Sequence, residues 1–194
     1  MKTIETNLYS FNELSKTAQT YAIEKYKETS EIDLDLFKDD CEQILKDKNI
    51  TLEMLRYSFS YSQGDGLSFS ATFDIETMIN NCFTNLSDKR KKLFQNFIYK
   101  VESVAHKRNY AYASKSDIEI TINYNNFDYE KHSNINNMLN TFENYIQDLY
   151  MTICNEFKNN GYNEIENQNS VEYISEILQD NDDEFTENGK KYVI

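Results

Sequence analysis

The strongest constraint in this 194-residue chain is a two-residue period on both sides of one short polar stretch. Leu55, Tyr57, Phe59 and Tyr61 alternate with Arg56, Ser58, Ser60 and Ser62. After Gln63-Gly64-Asp65-Gly66, the residues Leu67, Phe69, Ala71, Phe73 and Ile75 alternate with Ser68, Ser70, Thr72 and Asp74. Successive side chains of a strand point to opposite faces, so the pattern predicts a β-hairpin with one apolar and one polar face. Parity restricts its register. An even loop would set aromatic positions opposite serines. A three- or five-residue loop pairs Tyr61 with Phe69, Phe59 with Ala71, Tyr57 with Phe73 and Leu55 with Ile75. That register also sets Arg56 opposite Asp74. The expected loop is therefore odd and centred on Asp65, with both glycines supplying unusual backbone angles. The serines and Thr72 are expected on a solvated outer face, or on a small-residue surface that docks another sheet or a homodimer partner.

Helical signals surround the hairpin. Ser10 and Glu13 have capping-box spacing, Ser15 caps a second segment, and Leu14, Ala18, Tyr21, Ala22 and Tyr26 form one apolar stripe. A second helix fits Ile32 to Lys48 and a short one Glu76 to Asn85. A longer one begins after Ser87, with Leu93, Phe94, Phe97, Ile98 and Val101 inward. A second strand pair is expected at Asn109–Ala113 and Asp117–Tyr124. A polar loop over Asn125–Asn134 then leads into a long helix, Ile135–Phe157. An Asn-rich connection separates that helix from a last one near Ser170–Asp180. The sum is an α+β chain in one domain: about four antiparallel strands packed against several helices. Residues 1–50 form its helical N-terminal part, 51–125 the hairpins and intervening helices, and 126–194 the C-terminal helices with an acidic tail.

Charge is uneven. The net is -13, but Leu86–Lys115 holds eight Lys/Arg against two acids, while Gly161–Ile194 holds nine acids against two Lys. Proteins that wrap nucleic acid must neutralise phosphates, so direct nucleic-acid binding is not expected. A basic protein surface is the natural counterpart. With 15 Tyr and 12 Phe the chain has ample material for a core, which excludes wholesale disorder. No apolar run is long enough to span a bilayer and the first residues lack a signal-peptide pattern, so a cytoplasmic location is expected. Cys41, Cys82 and Cys154 lie far apart and read as small buried thiols, not as a disulfide framework or zinc site.

No familiar catalytic motif occurs: there is no H-E-x-x-H, no G-x-S-x-G and no phosphate-cradling glycine loop. Gly64-Asp65-Gly66 lacks the third glycine and the following helix of a dinucleotide fingerprint, and Asp65 fits turn chemistry. Asp180-Asn181-Asp182-Asp183-Glu184 lacks the order of a calcium loop. No catalytic residue, metal or cofactor is expected.

Three stretches together resemble a family of small proteins encoded by phages, prophages and other mobile elements. They are Tyr9-Ser10-Phe11-Asn12-Glu13-Leu14-Ser15 with Ala18, Ala22-Ile23-Glu24 and Tyr26; Phe59-Ser60-Tyr61-Ser62-Gln63-Gly64-Asp65-Gly66-Leu67-Ser68-Phe69; and Glu184-Phe185-Thr186-Glu187-Asn188-Gly189. Tyr61 stands where members often carry Trp. The resemblance implies a mobile-element protein working inside a bacterial cell. By analogy with small acidic proteins of that origin, it implies a non-enzymatic inhibitor of a defence or nucleic-acid-handling machine, such as an anti-CRISPR acting on a CRISPR effector by acidic mimicry. Candidate partner-binding residues are Gln63, Gly64, Asp65 and Gly66 at the hairpin and Asp180, Asp182, Asp183 and Glu184 in the acidic stretch. Alternative readings are an antitoxin-like or regulatory partner of a basic toxin, and a cryptic enzyme or small-ligand binder using the hairpin tip.

Overall fold

The computed structural model describes residues 7–105, 111, 113, 118–124 and 133–192. After a 3-10 turn at Phe11–Glu13, the elements run α1 (Lys16–Thr29), α2 (Asp35–Asp47), β1 (Ile50–Ser58), β2 (Gly66–Phe73), α3 (Ile75–Cys82), α4 (Asp88–Gln95), β3 (Ile98–Ala105), β4 (Ile118–Tyr124), α5 (Ser133–Gln168) and α6 (Val171–Asp180). The four strands form one antiparallel sheet in sequence order, giving the α+β class that the sequence predicts. The chain divides into two compact units, one of residues 35–162 and one of residues 1–34 with 163–194.

The larger unit holds the sheet. Its hairpin has the expected odd parity but a different register: Tyr57 faces Leu67, Leu55 faces Phe69, and Ser58 faces Gly66, leaving the seven residues 59–65 outside the ladder. Both strands keep their apolar residues on one face, which is what parity protects. The pairing starts five residues earlier than expected, at Ile50, and a bulge around Glu53 restores the alignment of Ile50 with Phe73. Arg56 consequently faces Ser68, and Asp74 leaves the sheet to cap α3, its carboxylate accepting from Thr77 N–H at 2.8 Å.

Ser68 and Ser70 are buried, contrary to the expected solvated face. β2 is covered on both faces along nearly its whole length, and where its ladder with β3 stops after two paired positions, hydroxyls take over the backbone bonds. Ser70 Oγ accepts from Ala105 N–H (3.1 Å), and Ser103 Oγ donates to the Phe69 carbonyl (3.3 Å). The Tyr150 hydroxyl of α5 completes the set, accepting from Phe69 N–H and donating to Phe69 C=O at 2.8 and 2.9 Å.

Several expected helix boundaries fall elsewhere, among them α2, which begins at Asp35 and not Ile32, and α3, which ends at Cys82 and not Asn85. The helix after Ser87 ends at Gln95, and Ile98–Ala105 is a strand. Ile98 and Val101 satisfy a helical and an extended period alike, and seven paired positions with β4 decide in favour of the strand. Of the proposed strand at Asn109–Ala113 only Ala111 and Ala113 are described, and neither is in a strand. Residues 125–132 of the expected polar loop lie outside the described residues, while Ser133 and Asn134 already belong to α5.

Helix α5 does not break at Asn159-Asn160-Gly161 but runs on to Gln168. Gly161 costs a helix interior about 1 kcal/mol relative to Ala. Here it is required, because a Cβ at this position would lie 2.3 Å from the Phe59 ring. Phe59 is buried there among the rings of Phe37, Tyr57 and Tyr162.

The smaller unit joins the two ends of the chain. Tyr9 and Phe185 exchange backbone hydrogen bonds at 2.8 Å in both directions, and Phe11, Leu14, Ala18, Ala22 and Ile23 pack with Ile174, Leu178 and Phe185. The capping box forms as read: Glu13 Oε2 accepts from Ser10 N–H and Ser10 Oγ. Ser15 caps α1 and Ser170 caps α6. Gly189 adopts φ +82° against the backbone of Ala18, where a Cβ would lie 2.1 Å from the carbonyl oxygen. The stretch from Tyr9 to Ser15, with Ala18, Ala22 and Ile23, and the stretch Glu184–Gly189 therefore meet in one core.

Candidate functional site

Asp65 organises the third stretch. Its Oδ1 accepts from the hydroxyls of Ser58 (2.9 Å), Ser60 (2.9 Å) and Ser62 (3.0 Å), and its Oδ2 from Ser62 N–H and the Tyr162 hydroxyl, both at 3.0 Å. The serines that alternate with aromatics in β1 and beyond thus converge on one carboxylate, and this draws residues 59–65 out of the ladder. Burial works to raise the Asp65 pKa. The Ser62 backbone N–H and the Ser58, Ser60 and Tyr162 hydroxyls outweigh it and hold the group well below the usual carboxylate range. The Tyr162 hydroxyl moves upward, through burial and through donation to that carboxylate.

A carboxylate offers about four lone-pair directions, and five donors use them here. Such a group is a poor base, nucleophile or metal ligand. It fixes the tip instead. Tyr61 takes φ +56°, an uncommon backbone region for a bulky residue, and is 67% exposed while its ring rests on Tyr162 at 4.9 Å between centroids. Gly64 and Gly66 have the positive φ expected of them, 103° and 154°. Gln63 is exposed, and with Gly64, Asp65 and Arg56 it lines an open polar depression of about 470 Å³. Tyr162 lies 97 residues from Asp65, and no local pattern marks it.

The acidic candidates belong to the smaller unit, whereas Gln63, Gly64, Asp65 and Gly66 belong to the larger. Asp180, Asp182 and Glu184 are exposed. Asp183 is less so, its carboxylate paired with Lys191 Nζ at 2.7 Å, which stitches the acidic stretch to the end of the chain. Along α6, Glu172, Glu176 and Asp180 recur every fourth residue on the exposed side, opposite buried Ile174 and Leu178. Glu172 and Glu176 were not among the sequence candidates, although the helical period alone places them in line with Asp180.

Cys41 and Cys154 are buried and Cys82 half-buried; burial pushes their thiols up to about 12, about 12 and about 11. No group of His, Cys, Asp or Glu among the described residues is arranged to hold a metal ion, and none of the helices among them is long and apolar enough to cross a membrane. His106 and His132 lie outside the described residues. Comparison of the chain with protein-family models, with curated proteins and with solved structures finds no match.

Proposed function

We propose that this chain is a non-enzymatic binding protein that docks through the acidic face of its smaller unit onto a basic protein surface. The observation that carries this reading is the partition of charge. Residues 1–34 and 163–194 hold fifteen acids and six lysines, a net of -9, while the twice larger remainder carries only -4. Like charges at i, i+4 are mildly destabilising on a helix, and while Glu172 suits the N-terminal turn of α6, Glu176 and Asp180 bring it no local gain. A cationic surface would relieve that repulsion and would attract the unit over long range. Together with the family resemblance, this points to a bacterial defence or nucleic-acid-handling machine as the partner. The acidic face would occupy a surface that otherwise holds phosphates, in the manner of an anti-CRISPR.

The test is co-expression with a panel of CRISPR effectors in a plasmid-interference assay. The expected result is loss of interference by one effector, steep weakening of the purified complex with salt, and recovery of interference when Glu176, Asp180, Asp182 and Glu184 are changed to Lys. Asp183 is left intact because it holds Lys191. Undiminished inhibition by the reversed variant would refute acidic mimicry.

A further inference from the structure

The larger unit carries an open groove of about 750 Å³ whose sides are apolar: Phe83, Leu93, Phe94 and Phe97 from the segment between α3 and β3, and Ile135 and Met138 from the first turns of α5. Its base is firmly packed. The rings of Phe83, Phe94 and Phe142 meet one another with centroids 5.5, 5.8 and 6.4 Å apart. Leu93, 54% exposed, stands at the groove on a helix otherwise rich in charge.

Arg90 also lines the groove, and exposed Lys89, four residues before Leu93, lies on the same side of α4. With Lys91 and Lys92, α4 holds four cations and one acid in a chain of net -13. An apolar trough with a cationic edge fits an occupant that presents apolar side chains on one face and carboxylates beside them. A nucleic acid would leave the trough unfilled, and a basic amphipathic helix would meet Arg90 with like charge. The acidic helix α6 of a second copy is unsuited, since Ile174 and Leu178 are already spent in its own core.

We infer that this groove docks a short amphipathic helix of an acidic partner protein. Its apolar residues, at i, i+3 or i+4 and i+7, rest on Leu93 and the aromatic base, and flanking Glu or Asp residues meet Arg90 and Lys89. The inference is independent of the acidic-face reading, which concerns other residues of the other unit.

The test uses the full chain and a display library of randomised 16-residue peptides, followed by fluorescence anisotropy of the enriched sequences. The expected peptides combine Leu, Ile or Phe at helical spacing with Glu or Asp. Leu93→Asp and Arg90→Glu each lower their affinity at least tenfold, with unchanged circular dichroism, and exchanging the peptide's acids for Lys abolishes binding. No enrichment, enrichment of basic peptides, or full affinity for Leu93→Asp would overturn the inference. So would oleate displacing a weak peptide with a Leu93-dependent affinity higher than that of any selected sequence, because the groove would then be assigned to an acyl chain.

Discussion

Removing one hydroxyl, in Tyr150→Phe, tests how the sheet is held where its ladder fails. Tyr150 is fully buried, and its ring stacks on Phe69 with centroids 4.3 Å apart, an arrangement the substitution keeps. What is lost is a pair of hydrogen bonds at 2.8 and 2.9 Å to the Phe69 backbone, together with the hydroxyl's weaker bond to the Cys154 thiol. The Phe69 carbonyl retains Ser103 Oγ, but in this environment the N–H is left without its acceptor. An orphaned buried donor costs about 1–3 kcal/mol, and the net worth of the lost bonds adds roughly 1 kcal/mol, for a total of about 2–4 kcal/mol. For a chain of this length each kcal/mol lowers Tm by about 2–4 °C, so a fall of about 4–16 °C is expected. Thermal and urea unfolding followed by circular dichroism measure it, with Tyr99→Phe, at a 62% exposed site, as the control that should barely move. A Tyr150→Phe shift below about 1 °C would refute the idea that this hydroxyl substitutes for sheet pairing.

Asp65→Asn replaces an acceptor-only group with one that points an N–H at existing donors, and it should lower Tm and increase protease cleavage near the tip. Because the folded carboxylate lies below its unfolded value, its contribution is fully present above about pH 4 and fades as the pH falls through the folded value. The Tm gap between wild type and Asp65→Asn should therefore be widest near neutrality and close below pH 4; parallel profiles down to pH 2 would contradict the assignment. Gly161→Ala should destabilise despite alanine's better helix propensity, and Phe59→Ala should relieve part of the loss in a double-mutant cycle, whereas a stabilised Gly161→Ala would show that the ring contact is unimportant. In the folded protein at pH 8, iodoacetamide should leave Cys41 and Cys154 unmodified and reach Cys82 slowly, with all three reacting in guanidinium; rapid stoichiometric labelling by mass spectrometry would contradict their burial.

Local chemistry made much of this molecule readable in one dimension. The caps at Ser10 and Ser15 act within four residues, so their spacing suffices to find them. The alternation around Gly64 likewise requires a hairpin with one apolar face, and parity requires an odd loop. Charge is additive along the chain, which is why the acidic C-terminal stretch and the basic α4 were visible from composition. The register was decided by tertiary structure, because three serine hydroxyls and distant Tyr162 pull Asp65 inward and displace the ladder by several residues. The continuity of α5 was decided in the same way, by a Phe59 ring that needs the space at Gly161. So was the strand at Ile98–Ala105, whose short apolar residues suit either period until β4 pairs with them. Local rules fail where a side chain's partner lies far along the chain: Tyr162, 97 residues from Asp65, shapes the hairpin tip, and Phe142, 48 residues from Phe94, builds the base of the groove beside α4.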